Sequence, residues 1–228
     1  FEQPAADVKA AGAQVLAVIN ASPFHMGKAQ EREHKMRERC QATGLPMVYA
    51  HLVGGQEEVV FEGRSFALQA TGELAGRAQA FVEADFHVSV QSTDGQAVLQ
   101  AATVPLQTEL AEVWDALVLG VRDYLGKNRF TGALIGLSGG IDSALVLAIA
   151  ADALGPENVR CVMMPSPYTA DISLTDARDM AQRMGVRYDE KSIVPMFDAF
   201  LQTLEADFAG LPLDATEENI QARIRGSL

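Results

Sequence analysis

The stretch GLSGGIDSA, residues 136–144, decides the fold of the second half of this sequence. It overlaps the end of the apolar run GALIGL (132–137), which predicts a buried strand, and it leads into an Ala- and Leu-rich helix predicted from Ile141 to Leu154. Such a turn is where an α/β fold presents backbone N–H groups at the start of a helix. Gly139 and Gly140 permit a sharp turn and a close approach of the backbone to a ligand. The stretch therefore predicts a ligand-binding turn.

Strands and helices alternate on both sides of this turn. Ser173 predicts the N-cap of a helix over 173–185, with Asp176 three residues on as a partial capping box. The remaining predictions are helices over 109–128, 196–204 and 215–228, and strands over 158–165 and 186–193. This order is typical of βαβ units with a parallel sheet. Three strands are fewer than a doubly wound domain usually has, so the chain is expected to stop inside its second domain.

The part before residue 103 has a different pattern. A short buried strand is predicted over 13–20, followed by a helix over 28–43 with a heavily charged outer face. Further strands are predicted over 47–55, over 58–78 as an antiparallel set, and over 86–91 and 97–102 around the turn Asp94-Gly95. The pattern changes near TVPLQTE (103–109). We therefore predict two domains, 1–102 and 103–228.

Composition and charge exclude several classes of protein. The 228 residues are 48% hydrophobic and 21% charged, which is ordinary for a globular protein. The net charge of −12 argues against nucleic acid and an anionic membrane as partners, although backbone amides could still bind phosphate locally. No apolar run reaches the roughly 18 residues needed to span a bilayer. Cys40 and Cys161 are too few for a disulfide framework, which fits a reducing compartment and hence the cytoplasm.

Three known motifs compete for the glycine turn. It has neither the Lys of an NTPase P-loop nor the Gly-x-Gly-x-x-Gly of a dinucleotide site. Gly136 to Gly140 does match Gly-x-Ser-x-Gly, the nucleophile elbow of α/β-hydrolases, which would make Ser138 the nucleophile of an esterase. That fold places its His after the Ser, and all four histidines of this chain precede Ser138: His25, His34, His51 and His87. The esterase remains the alternative interpretation, together with a turn that binds nothing.

The residues SGGIDS (138–143) resemble the pyrophosphate loop of the N-type ATP pyrophosphatases. The resemblance implies that loop amides and the hydroxyls of Ser138 and Ser143 hold the β- and γ-phosphates of ATP, and that Asp142 is a ligand of Mg²⁺. MMPS (163–166) would lie along the adenine and ribose, or would only pack in the core. The implied ATP-binding residues are Gly136, Leu137, Ser138, Gly139, Gly140, Ile141, Asp142 and Ser143.

The rest of the chain resembles the glutamine-dependent NAD synthetases. VINASPFHMGK (18–28) and VGGQEEVVFEGRSF (53–66) resemble their glutaminase domain, which belongs to the nitrilase (carbon–nitrogen hydrolase) superfamily. MMPSPYTADISLTDARDMAQRMGV (163–186) and TEENIQARIRG (216–226) resemble their synthetase domain. The implied fold is α/β: the C-terminal part of a nitrilase-like α-β-β-α sandwich, then the first half of a doubly wound parallel-sheet domain of the adenine nucleotide α-hydrolase type. The implied reaction is ATP-dependent amidation of deamido-NAD with ammonia from glutamine, through an acyl-adenylate.

The glutaminase of this family uses a Glu, a Lys and a Cys as catalytic residues. The resemblance places all three upstream of Phe1, so no catalytic residue of the glutaminase is expected here and the chain is expected to be a fragment. Cys40 and Cys161 do not match the family's Cys motif, and we interpret both as structural.

The resemblance also implies binding residues for two substrates. Ser22 and Lys28 match positions that bind glutamine, while Lys28 could instead only solvate the start of its helix. Asn219 and Arg223 match a segment that contacts deamido-NAD, and Arg225 suits either the same ligand or a surface pair with Glu217 or Glu218. No role is assigned to His25. Family members assemble as dimers or larger, which implies a homo-oligomer.

Overall fold

The structure is a computed structural model that describes residues 4–209 and 215–228. It divides into two compact units, Phe1–Lys127 and Asn128–Leu228. Both units mix helices with strands, so the predicted α/β class is confirmed. Across the described ranges, no helix is both long and apolar enough to span a bilayer.

The first unit contains a four-stranded sheet with the order β1-β2-β5-β6 and two hairpins, β3-β4 and β7-β8. β1 and β2 are parallel and are joined by α2, whereas β2, β5 and β6 are antiparallel neighbours. Its elements are α1 (Pro4–Ala10), β1 (Leu16–Asn20), α2 (Lys28–Thr43), β2 (Met47–His51), β3 (Val53–Gln56), β4 (Val59–Glu62), β5 (Phe66–Leu68), β6 (Leu74–Arg77), β7 (Ser89–Thr93), β8 (Gln96–Gln100) and α3 (Glu109–Lys127). The helix predicted over 28–43 is confirmed to the residue, and α1 was not predicted.

Helix α3 packs against the hairpin β3-β4 of the first unit. The Asp123 carboxylate accepts a hydrogen bond of 2.7 Å from the Gly55 N–H, and Lys127 donates to the Gly55 carbonyl. A Cβ on Gly55 would lie 3.3 Å from the Gly120 Cα, so the helix approaches the strand closely because both positions are glycine. The sequence pattern grouped α3 with the second half, because helical periodicity does not reveal which partner a helix packs against. The domain boundary at 102/103 stays a prediction.

The second unit is built on a three-stranded sheet with the order β11-β10-β9, and both pairs of neighbours are parallel. Buried side chains of the sheet and of its helices form one apolar core, which includes Leu137, Leu147, Cys161 and Ala177. The elements are β9 (Ala133–Gly136), α4 (Ile141–Leu154), a short 3-10 helix (Pro156–Asn158), β10 (Val159–Met163), α5 (Asp171–Met184), β11 (Arg187–Glu190), α6 (Val194–Thr203), α7 (Glu205–Phe208) and α8 (Ala215–Ser227). The predicted parallel sheet and the bounds of α4 are confirmed, while α7 was not predicted.

Several predictions about these elements are wrong in detail. The strand predicted over 47–55 is divided at Leu52 into β2 and β3, which belong to different sheets. The strands β1 and β9 were both predicted as buried, but each is an edge strand of its sheet among the described residues, with Ile19 91% and Leu134 68% exposed. The exposed side chains of Ile19 and Leu134 show that the sheet face from which they project is not covered at these positions. Ser173 is not an N-cap, because α5 begins two residues earlier at Asp171 with Ala170 as its cap.

Candidate functional site

The glycine turn joins β9 to α4 at the carboxyl end of the sheet, as the sequence predicted. Gly140 is the N-cap of α4 and no side chain caps the helix start. The first N–H groups of an α-helix have no partner inside the helix, and they carry the positive end of its dipole. The turn therefore presents backbone donors that suit an anionic ligand.

Gly139 is required by the packing of the turn. Its φ of +80° lies in the left-handed region, and a Cβ there would lie 2.3 Å from the Ser173 carbonyl oxygen in the first turn of α5. Gly140 is different: a Cβ on it would meet only the Ser138 Oγ, at 3.4 Å. Gly139 thus lets the turn approach α5, whereas Gly140 leaves space above the N-terminus of α4.

The hydroxyls of Ser138 and Ser143 bond to each other inside the turn. The Ser143 Oγ donates to the Gly140 carbonyl at 3.0 Å and accepts from the Ser138 N–H at 3.2 Å, and the two hydroxyl oxygens are 3.0 Å apart. Since the hydrogen of Ser143 is used on Gly140, Ser138 must be the donor between the two hydroxyls. The Ser138 Oγ in turn accepts from the Gly140 N–H at 3.3 Å. In this structure, therefore, both hydroxyls hold the turn in shape, and neither has a hydrogen to spare for a phosphate.

Asp142 lies in the first turn of α4 with its carboxylate exposed and without a hydrogen bond or ion pair to any described residue. The described parts of the chain hold no cluster of three or more His, Cys, Asp or Glu that could bind a metal ion. The single exposed carboxylate of Asp142 is of the kind that binds Mg²⁺, which proteins usually hold through one or two carboxylates together with substrate phosphates.

A cavity of about 560 Å³ lies beside the turn, at the carboxyl ends of β9 and β10. This volume is in the range of small-molecule sites. Gly136, Leu137 and Ser138 line it from the turn, and Met163 and Met164 line it from the segment predicted to follow adenine and ribose. The lining is partly apolar and the cavity adjoins the glycine turn at Ser138, which suits a heteroaromatic group joined to phosphates.

Arg225 on α8 borders this cavity and a second one of about 500 Å³. Its Nε donates to the Met164 carbonyl at 3.1 Å, which ties the helix to the end of β10. Asn219 and Arg223 are exposed and are not among the residues that line these two cavities. Their assignment to deamido-NAD stays a prediction. Arg225, in contrast, lines both cavities.

In the first unit, Ser22 lies just after β1 within a buried polar cluster. Its Oγ accepts a hydrogen bond of 2.9 Å from Arg32 and lies 3.3 Å from the His51 Nε2. Arg32 also donates to Glu62 at 2.6 Å, and both charged side chains are buried. Burial, followed by the charge of Arg32, lowers the pKa of His51, so the imidazole is neutral at pH 7.

Lys28 and His25 do not join this cluster by any contact within the described ranges. The Lys28 Nζ is 3.4 Å from the Glu31 carboxylate one turn along α2, and its side chain is 30% exposed. The His25 Nδ1 is 3.1 Å from the Met26 carbonyl, at the surface. Ser22 thus belongs to a polar cluster, whereas the contact of Lys28 is with Glu31 on its own helix, as expected if Lys28 only solvates the helix start.

Arg32 and Glu62 were missed by the sequence reasoning. Helix α2 was expected to carry its charges on an outer face, yet Arg32 and Glu33 are buried, and Glu33 pairs with Arg77 at 2.6 Å. A signal was present in the spacing: the buried positions of α2 form one helical stripe, which consists of Ala29, Arg32, Glu33, Cys40 and Thr43. Charged residues that share a helical stripe with residues such as Ala29 and Cys40 indicate buried ion pairs.

Neither thiol has the environment of a nucleophile. Cys40 and Cys161 are both free and buried. Burial raises the pKa of Cys40 to about 11 and also raises the pKa of Cys161, so both stay protonated at neutral pH. The esterase alternative has no support either, because the Ser138 hydroxyl bonds to Ser143 and Gly140 and no imidazole is among its partners.

Comparison with known proteins gives one family. The sequence profile of the NAD synthase family matches residues 113–228. A glutamine-dependent NAD(+) synthetase of Rhodobacter capsulatus is 46% identical over 219 residues, and one of Acinetobacter baylyi is 42% identical over 215 residues. These alignments cover 95% and 94% of this chain but only 40% of each relative. This chain thus spans about two fifths of the length of the curated relatives that it matches.

A solved structure agrees with these relatives. The glutamine-dependent NAD+ synthetase of Acinetobacter baumannii, in complex with adenosine diphosphate, matches with a TM-score of 0.89 and 40% identity over 97% of this chain and 42% of the other. A glutamine-dependent NAD(+) synthetase of Cytophaga hutchinsonii matches with a TM-score of 0.73 at 22% identity, which speaks for the fold alone.

Proposed function

The chain belongs to the NAD synthase family, and from that premise we propose that it contributes to a glutamine-dependent NAD synthetase. In the proposed reaction, ATP activates the nicotinate carboxylate of deamido-NAD as an acyl-adenylate and releases pyrophosphate. Ammonia from glutamine then attacks the acyl carbon, and AMP leaves. The observation that carries the proposal is the turn SGGIDS, placed between β9 and α4 beside a cavity of about 560 Å³.

The turn would bind the triphosphate of ATP through backbone donors. The N–H groups at the start of α4 are uncapped, and the space above Gly140 is open. The proposed ATP-binding residues are those of the turn and its flanks, Gly136 to Ser143. Because the hydroxyls of Ser138 and Ser143 already bond within the turn, we assign them chiefly to holding its shape, and any bond from Ser143 to a phosphate would replace its bond to Gly140. The adenosine diphosphate bound by the relative from Acinetobacter baumannii supports a nucleotide at this site.

Asp142 is the proposed residue for Mg²⁺, with substrate phosphates as the other ligands. The ion would supply charge stabilisation on the adenylyl group being transferred and on the departing pyrophosphate. What the chain itself contributes is position, since the turn holds the carboxylate beside the donors of the helix N-terminus. The apolar residues Met163 and Met164 would exclude water from the adenosine.

The first unit would contribute to the glutamine site of a nitrilase-type glutaminase. We propose the sandwich fold of that superfamily for it, with the catalytic Glu, Lys and Cys supplied by residues outside these 228. Ser22 would donate to the glutamine α-carboxylate from just after β1, and Lys28 would pair with that carboxylate from the start of α2. Cys40 and Cys161 are buried and protonated, so neither suits nucleophilic attack. This supports the proposal that the catalytic Cys is another residue.

For deamido-NAD we keep Asn219 and Arg223 as proposed contacts and add Arg225, which reaches the cavity. We further propose a homo-oligomer in the cytoplasm. The two free cysteines support a reducing compartment.

The test compares two nitrogen donors in a full-length protein that contains this sequence. NAD synthesis should proceed from deamido-NAD and ATP with either glutamine or ammonia. Lys28→Ala should lower glutamine efficiency by about tenfold to a hundredfold, since a hydrogen bond to a charged group contributes roughly 1.5–3 kcal/mol. Synthesis from ammonia should stay near normal.

Lys35→Ala, which removes an exposed lysine that also pairs with Glu31, is the matched control. Equal losses with both donors would indicate a folding defect, and no loss with either would leave Lys28 a surface residue.

A further inference from the structure

The buried pair Arg32–Glu62 lies behind Ser22 and has no part in the function proposed above. The Arg32 Nη1 donates to the Glu62 Oε1 at 2.6 Å, and its Nη2 donates to the Ser22 Oγ at 2.9 Å. The side chains of Arg32 and Glu62 are 6% and 1% exposed. One guanidinium therefore joins a fully buried carboxylate on β4 to the hydroxyl at the end of β1.

Stability alone does not account for this pair. Burying two charges costs several kcal/mol per ion, and replacing a buried ion pair by apolar residues is often neutral or stabilising. Here the pair is also incompletely satisfied, because the Glu62 Oε2 is buried and has no hydrogen-bond partner in the described parts of the chain. The third group, the Ser22 hydroxyl, is what the pair holds in place.

The hydrogen bonds around Ser22 restrict where its hydroxyl proton can point. A hydroxyl has one hydrogen to donate and two lone pairs to accept with. Arg32 occupies one lone pair, and the backbone of Ser22 is fixed by its N–H, which donates to the Asn20 side chain at 3.0 Å. The other neighbour is the neutral His51, whose Nε2 lies 3.3 Å away and, according to the tautomer, accepts from the hydroxyl or donates to its second lone pair. With either tautomer the hydroxyl proton can turn to a carboxylate that arrives, because a carboxylate is a stronger acceptor than an imidazole nitrogen.

We propose that Arg32, held by Glu62, is a positioning residue that orients the Ser22 hydroxyl to donate to the α-carboxylate of the amide-donating amino acid. This inference rests on the proposed function, which places glutamine at Ser22. Arg32 would not touch the substrate. It would hold the Ser22 hydroxyl in one orientation and polarise it as a donor. Arg32 would therefore contribute to recognition of the carboxylate and not to amide cleavage.

The experiment uses two amide substrates with a full-length protein that contains this sequence. Glutamine has the α-carboxylate, and 4-aminobutanamide is the same molecule without it. In Arg32→Lys, which keeps a positive charge beside Glu62, the KM for glutamine should rise by about tenfold, the scale of one hydrogen bond to a charged group, with kcat nearly unchanged. Hydrolysis of 4-aminobutanamide and NAD synthesis from ammonia should be unaffected. Arg39→Lys, on the exposed face of the same helix, is the matched control.

A double-mutant cycle separates this inference from the proposed function. Ser22→Ala should raise the KM for glutamine by a similar factor, and Ser22→Ala with Arg32→Lys should raise it no further, because both changes remove one interaction. If Ser22→Ala leaves glutamine hydrolysis unchanged, the proposed glutamine site is wrong. If Ser22→Ala raises the KM for glutamine but Arg32→Lys does not, the proposed glutamine site is supported and the role of Arg32 is wrong. The same holds if the two increases in KM multiply in the double variant. Should Arg32→Lys lower ammonia-driven synthesis through misfolding, Glu62→Gln replaces it in the cycle, with the same outcomes on each side.

Discussion

In Asp142→Asn, NAD synthesis from ammonia should fall by about a hundredfold to a thousandfold, the usual loss when one electrostatic group of an active site is removed. The amide is nearly isosteric, so the first turn of α4 should keep its shape while losing the charge that would hold Mg²⁺ against the phosphates. Asp142 is exposed and makes no bond to any described residue, so the change removes no contact of the fold. Hydrolysis of glutamine should stay measurable, because the residues proposed to bind glutamine lie in the first unit.

The measurement is the rate of NAD formation over a range of Mg²⁺ concentrations. Asp198→Asn, an exposed carboxylate on α6 of the same unit, should leave both the rate and the Mg²⁺ dependence unchanged. If Asp142→Asn also left them unchanged, its charge would only complement the dipole of α4, worth about 0.3–1 kcal/mol.

The second large effect is expected in Gly139→Ala. An Ala at φ of +80° costs roughly 1–2 kcal/mol, and relieving the overlap with the Ser173 backbone costs roughly 1–3 kcal/mol more. The turn should therefore move away from α5. The second unit should be destabilised by roughly 2–5 kcal/mol, and the variant should lose ATP-dependent synthesis.

Gly140→Ala is the matched control for folding. Its φ is −87°, and the new Cβ would meet only a hydroxyl at 3.4 Å, so its cost should stay under about 1 kcal/mol. Hydrogen exchange of the β10 amides in urea reports the stability of the second unit separately from that of the first. Equal protection in the two variants would contradict the close packing of Gly139 on α5.

The sequence predicted the elements around the functional turn well, because local patterns determine them. Helix α4 begins right after a glycine pair and ends before Gly155, so its bounds agree to the residue. The start of α5 was missed because a Ser with an acidic residue three positions later is a good capping pattern, yet the chain entered the helix at Asp171 without a side-chain cap. A capping pattern indicates one possible start and does not exclude an earlier one.

Burial and long-range pairing were harder to predict. The strands β1 and β9 were predicted as buried because their residues are apolar. Whether a strand lies at the edge of a sheet depends instead on which other strands pair with it, and this is not a local property. Helical spacing could place Arg32 and Glu33 on the inner face of α2, but their partners Glu62 and Arg77 could not be predicted, since they are 30 and 44 residues away. Such contacts become visible only when the sheet brings distant segments together.

The turn at Gly136 to Ser143 is proposed to support adenylation of a carboxylate. This proposal is tested most directly with deamido-NAD carrying ¹⁸O in both oxygens of its nicotinate carboxylate, in a full-length protein that contains this sequence, with ATP, Mg²⁺ and ammonia. If a carboxylate oxygen attacks the α-phosphorus and ammonia then displaces AMP, one ¹⁸O should appear in AMP and the other should remain in the amide of NAD. Formation of ADP and labelled phosphate would instead indicate attack at the γ-phosphorus and would contradict the account.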